Sequence, residues 1–236
     1  MVMLMEYFCF KKPINISAMN IYNVIILDES GSMSAIYRET LSSMNEVLSG
    51  IRKNQEDFPD QKNFVTFVTF EGRGMCGVNR RRDRVPIENM ADLTEKDYHP
   101  RGTTPLYDAI GKTLTNLEGL VHKDDKVIAT VITDGYENSS EEYSGKAIKA
   151  LVDRLREKGW TLAYIGANQD AVEVAKDLHI DNALNIDATG EGIALMSIKL
   201  KKARTKASIV WSMIDEHNNN EPLTNLFSPD PEEKEN

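Results

Sequence analysis

Residues 21–32 read IYNVIILDESGS, and this stretch decides the fold. A short, nearly continuous apolar run that ends at a turn signal is the pattern of a strand buried on both faces. The run stops at Asp28, and Gly31 lets the chain turn tightly just beyond it. Asp28, Ser30 and Ser32 stand at alternate positions of that turn, so their side-chain oxygens can face a single point.

Working outward, Tyr37, Leu41, Met44, Leu48 and Ile51 recur at three- and four-residue steps, the apolar face of a helix. Residues 63–70 (NFVTFVTF) read as a second strand, and the Gly- and Arg-rich stretch to about Ile87 as a hairpin or an irregular antiparallel edge. After Pro105, a natural first-turn residue, Leu106, Ile110, Leu114, Leu117 and Val121 mark a second helix, and 126–133 (KVIATVIT) a central strand. Ser139 and Glu142 have capping-box spacing for a helix carrying Ile148, Leu151, Val152 and Leu155. Gly159 ends that helix. A strand at 160–166, a short helix at 170–178, a strand near 183–187 and a long helix from about Glu191 complete the pattern.

Strands alternating with helices specify an α/β domain, here a Rossmann-like three-layer α/β/α fold with a central, mainly parallel sheet and one antiparallel edge strand. The domain is expected over residues 21–217. Residues 1–20 read as an N-terminal extension, either an extra strand or the product of an upstream start. From about Asn218, Asn repeats, three prolines and acidic residues suggest a disordered tail over 218–236.

Composition narrows the function classes. Apolar residues make up 41% and charged residues 28% of the 236, ordinary globular usage. A net charge of -9 opposes nonspecific attraction to nucleic acid or an anionic membrane. The two cysteines, Cys9 and Cys76, lack paired spacing, so neither a disulfide framework nor a zinc site is indicated and a reducing cytoplasm is the simplest location. No apolar run reaches the roughly 18–20 residues of a membrane span. The apolar start, MVMLMEYFCF, lacks the basic beginning and cleavage site of a secretory signal; a signal or anchor there is the alternative. His99, His122, His179 and His217 are scattered singly and suggest no triad.

In an open parallel sheet, the loops at the carboxyl ends of the strands meet at a topological switch point. Two later loops carry suitable oxygens there: Arg101-Gly-Thr-Thr104-Pro-Leu106, which introduces a helix, and Thr133-Asp134-Gly135, which ends a strand. Asp28, Ser30, Ser32, a threonine of the second loop (Thr103 or Thr104) and Asp134 form a donor set of two carboxylates and three hydroxyls. All are hard ligands, which suits Mg2+, with Mn2+ or Ca2+ as alternatives. Two carboxylates only neutralise a divalent ion, so it would keep an affinity for a further carboxylate. Taken singly, the same residue types are common turn and cap formers. Glu29, Tyr107 and Tyr136 lie beside these loops and are weaker candidates for partner contact, while Glu137 and Asn138 could shape the turn after Asp134. Arg80, Arg81, Arg82 and Arg84 read as a solvated basic loop. Lys199, Lys201, Lys202, Arg204 and Lys206 read as a coat on the outer face of the last helix.

At these residues the chain resembles the von Willebrand factor type A family, whose metal-ion-dependent adhesion site (MIDAS) has the pattern Asp-x-Ser-x-Ser, then Thr, then Asp. All five positions match, and the resemblance spans about residues 21–210. It implies that Ser30, Ser32 and Thr104 are direct or switchable ligands and that Asp28 and Asp134 bind directly or through water. The Thr-Pro-Leu order selects Thr104 over Thr103. The expected function is a non-enzymatic, metal-dependent interaction module that captures an Asp or Glu of a protein partner. For intracellular family members, the resemblance implies work within assemblies containing ATPases or other regulatory machinery. The rivals are a metal-assisted (phospho)hydrolase and a structural module whose site engages nothing. No Walker loop, nucleophile elbow or HExxH supports the hydrolase.

Overall fold

Strand β1 (Met19–Asp28) sends Val24 and Ile26 into one packing layer and Ile25 and Leu27 into the other, and all four are at most 1% exposed. Side chains alternate along a strand, so such a segment is stable only between two layers. The computed structural model, which describes residues 18–72, 77–213 and 221–228, contains both. Helices α1 (Tyr37–Asp57) and α5 (Gly190–Ser212) cover the Ile25 face. Helices α2 (Leu106–Glu118), α3 (Gly145–Glu157) and α4 (Ala171–Asp177) cover the Val24 face.

β1 pairs in parallel with β2 (Gln61–Phe70) on one side and β4 (Lys126–Thr133) on the other. β5 (Thr161–Ala167) and β6 (Asn182–Ile186) continue in parallel, and β3 (Val78–Pro86) is antiparallel to β2 at the opposite edge. The order is β3-β2-β1-β4-β5-β6, the Rossmann-like α/β/α sandwich with one antiparallel edge strand that the pattern predicts. Among the described residues no helix is long and apolar enough to cross a membrane. Both cysteines and the extension before residue 18 lie outside the described residues.

Four local expectations are corrected. The helix after Asp134 starts at Gly145, not near Ser139: Ser144 is its N-cap and accepts the Ala147 N–H at 3.3 Å. Ser139 and Glu142 sit in an irregular segment whose amides are taken by other carboxylates. Arg80, Arg81, Arg82 and Arg84 belong to β3 rather than a loop, where charge on an edge strand discourages further strand pairing. Arg82 is spent on Asp97 at 2.8 Å.

Arg204 does not coat an outer face. It is buried under α5, donating to Thr130 Oγ1 at 3.2 Å and the Leu200 carbonyl at 3.4 Å, with Nε unpartnered. Burial pushes its guanidinium down to about 10. Finally, the described part of the expected disordered tail, 221–228, is docked. Asn182 donates to the Leu223 carbonyl and accepts the Leu226 N–H, each at 2.9 Å, and Leu226 is buried against Ile21, Ala207 and Trp211. Residues 229–236 lie outside the described residues.

Candidate metal centre

From β1 the chain moves to β2 and β3 on one side, then returns to β4 on the other. The strand order therefore reverses between β1 and β4, and a crevice opens at their carboxyl ends. Asp28 ends β1 and Thr133 ends β4. The Thr133 hydroxyl donates to Asp28 Oδ2 at 2.6 Å, and the Ser30 N–H donates to Asp28 Oδ1 at 2.7 Å, so both carboxylate oxygens are held.

The hydroxyls of Ser30 and Ser32 lie 3.1 Å apart, and Ser32 donates to Asp134 Oδ1 at 2.6 Å. A Cβ added to Gly135 would stand 3.2 Å from Thr104 Oγ1 and 3.9 Å from Ser32 Oγ. The glycine thus leaves open the space that these two oxygens share. All five residues singled out in the sequence are brought together, although they come from three loops about 30 to 100 residues apart. Asp28, Ser30 and Thr104 form a buried floor, Asp134 is half-buried and Ser32 reaches solvent.

The electrostatics are unbalanced. Burial pushes the Asp28 carboxyl up to about 6, against the hydrogen bonds of Thr133 and Ser30, and the Asp134 charge adds to the rise. Burial also raises Asp134, opposed by the Ser32 hydroxyl. Among the described residues no salt bridge reaches either carboxylate. Nor, among the described residues, do three His, Cys, Asp or Glu side chains gather into a metal-binding group, so a cation here would need the hydroxyls as well as the two acids. The donor set and the gap beside Gly135 fit a hard divalent cation.

Glu29 is not a partner contact, contrary to expectation. Its side chain is fully buried and turned inward, where Arg81 Nη2 donates to Oε1 and Oε2 at 3.1 and 3.0 Å and the His99 N–H donates to Oε1. Strand alternation sends it away from the crevice that Asp28 faces. Tyr107 is half-buried against the α2–α3 core, its hydroxyl close to Gly145. Tyr136, two residues after Asp134, is 59% exposed and is the most open of the three.

Three supporting residues escaped the sequence reading. Thr133 grips Asp28, and its position at the end of the central strand was the available signal. Tyr98, fully buried and stacked on Tyr37 at 5.8 Å, donates its hydroxyl to the Asp28 carbonyl at 3.0 Å. Asp108 accepts three amides of the loop after Asp134. No local pattern marks the last two, because their partners are distant in sequence.

The fold is similar to several solved structures. They include the pilus adhesin SpaC of Lactobacillus rhamnosus GG in an open conformation, with TM-score 0.63, 12% identity, and 80% of this chain and 30% of that chain covered. The minor pilin PilB of Streptococcus sanguinis gives TM-score 0.59 and 12% identity, covering 86% of this chain and 65% of that one. Proximal thread matrix protein 1 of the mussel byssus, solved with a zinc-occupied MIDAS motif, gives 0.54 and 14%, covering 81% and 46%. The chain spans less than two thirds of each of these proteins, and at such identities the likeness is one of fold. No curated protein matches the chain in sequence. The family model for the von Willebrand factor type A domain matches residues 24–192. That match runs from within β1 to the start of α5, and the chain belongs to the von Willebrand factor type A domain family.

Proposed function

We propose that Asp28, Ser30, Ser32, Thr104 and Asp134 hold one divalent cation, Mg2+ in preference to Mn2+ or Ca2+, as a complete MIDAS, and that the site binds an Asp or Glu side chain of a protein partner. The observation that carries this reading is the convergence of Ser32, Asp134 and Thr104 beside Gly135. Asp28, locked by Thr133 and Ser30, supplies buried negative charge. Asp134 supplies the second charge at the rim, and the three hydroxyls add neutral oxygen donors. When bound, a divalent cation would provide a positive centre, neutralised but not over-compensated by two carboxylates, that an incoming carboxylate can ligate. Exposed Tyr136 would line the docking surface beside it. No group in this arrangement needs to act as a nucleophile.

Titration with Mn2+, followed by electron paramagnetic resonance, tests the first half: wild type should bind one ion and Asp134→Ala none. Partners retained from lysate test the second, since their binding should be lost with chelator and with Thr104→Ala. Partners indifferent to both treatments would sink metal-bridged recognition. Turnover of a generic phosphoester that disappears in Asp28→Ala would replace this reading with hydrolysis.

A further inference from the structure

Helix α2, which follows Thr104, has no cap of its own: Pro105 occupies the N-cap position and makes no side-chain cap bond. The first-turn N–H groups of a helix need outside acceptors, and here they come from the segment after Asp134. Glu137 Oε2 accepts the Tyr107 N–H at 2.9 Å, and Ser140 Oγ accepts the Asp108 N–H at 3.0 Å. A carboxylate at a helix N-terminus also complements the helix dipole.

Thr104 is held in both directions. Its N–H donates to Asn138 Oδ1 at 2.8 Å, and its carbonyl accepts the Asn138 N–H at 3.2 Å. The segment is stiffened in return, because Asp108 accepts the N–H groups of Glu141, Glu142 and Tyr143 at 3.1, 2.9 and 2.8 Å. Glu137 Oε1 accepts those of Ser139 and Ser140 at 2.8 and 2.7 Å. The loops carrying Thr104 and Asp134 are thus joined through side chains and through the Asn138–Thr104 backbone bond. The Ser30–Ser32 loop is tied to residues 101–102 by backbone bonds, Gly31 N–H to Gly102 O and Arg101 N–H to Glu29 O.

We infer that Asn138 and Glu137 are positioning residues for the cation site: Asn138 brackets Thr104 and Glu137 caps α2 from a separate loop, and together they set the separation between the Thr104 hydroxyl and the Asp134 carboxylate. The inference rests on the metal reading above. Partners behind the ligands commonly change metal affinity 10- to 100-fold. Mg2+ demands near-ideal octahedral geometry, whereas Ca2+ tolerates a looser shell, so loosening this clamp should cost Mg2+ binding more than Ca2+ binding.

The test uses the full chain as wild type, Asn138→Ala, Glu137→Gln, Asn138→Asp and a control, Ser144→Ala, which removes an unrelated cap in the same stretch of chain. Mn2+ affinity and its competition by Mg2+ and Ca2+ are measured, together with amide hydrogen exchange of the metal-free protein. Asn138→Ala and Glu137→Gln should weaken Mg2+ and Mn2+ about tenfold or more, and Ca2+ by clearly less. Asn138→Asp, which keeps the acceptor, should bind within about threefold of wild type. Exchange at the Thr104 amide should speed up in Asn138→Ala but not in Ser144→Ala.

Unchanged affinity despite faster Thr104 exchange, an equal loss for all cations, or the same loss in Ser144→Ala would each overturn the inference. If wild type bound no ion, the affinity claim would fall with the metal site, while the exchange data would still report whether the clamp exists.

Discussion

Two neighbouring acids at the end of β1 face opposite sides of the sheet and have opposite fates. Asp28 and Glu29 are both fully buried. On the β2–β3 side, Glu29 meets Arg81 through two bonds and the His99 amide, so its charge is answered inside the protein. On the β4 side, Asp28 meets only neutral donors, and burial raises it to about 6. A buried charge normally needs a partner. The protein provides one at Glu29, which stabilises the frame; at Asp28 none comes from the described residues, and on the proposed reading a cation would supply it.

The largest expected effect comes from breaking the paired side. Arg81→Met would strand Glu29 as an uncompensated buried charge, and such losses cost about 3 kcal/mol or more. Denaturant unfolding should show that loss equally with and without Mg2+; a loss that Mg2+ restores would mean the two sides are not separate.

Next in size is the unpaired side itself. A carboxyl raised in the fold contributes stability that is complete below its unfolded value, near 3.8, and is lost as pH rises through about 6. In chelator, Asp28→Asn should therefore be more stable than wild type by about 3 kcal/mol at pH 7, and the gap should close toward pH 4. A gap independent of pH would show that Asp28 is satisfied without a cation.

Slightly smaller is the effect of the ion. At about a hundred times its dissociation constant, Mg2+ should stabilise wild type by roughly 2.7 kcal/mol at pH 7.5, several degrees in a melt. Because protons compete for Asp28, the shift should shrink as pH falls through about 6. Asp134→Ala and Thr104→Ala should show little shift at either pH.

The smallest expected effect is at Arg204, a third buried charge, which has no carboxylate partner among the described residues. If lack of a counter-charge is costly wherever it occurs, Arg204→Met should gain about 1 kcal/mol, read as a rise of a few degrees in Tm with no change in metal affinity. A fall in Tm would mean that its bond to Thr130 outweighs the desolvation.

How legible each feature was follows from the range of the interactions behind it. β1 could be read from seven residues, and α1 from the spacing of its apolar face, because period and burial are local properties. The convergence of the five candidate residues was legible because they sit in loops at strand ends or before a helix, where the α/β pattern predicts that loops meet. The capping box at Ser139 failed for the opposite reason. Its amides were claimed by Glu137 and by Asp108, about 30 residues away, and a local motif yields when a distant acceptor satisfies the same donors. Arg81, Arg204 and Leu226 were misread together, since composition suggests solvent for basic runs and Pro-rich tails while burial depends on what packs over them.

Periodicity and turn chemistry within short windows of sequence specified the alternation of strands and helices, a mainly parallel sheet, and which oxygens stand at the strand ends; the strand order, with its reversal between β1 and β4, came from the tertiary structure. Only the tertiary structure decided which buried acid received a cation from the chain and which did not. That choice depends on β3 folding back antiparallel along β2 to bring Arg81 beside Glu29, while among the described residues no ion pair reaches Asp28 or Asp134. Counter-charges are set by contacts across the sheet, and no local pattern records them.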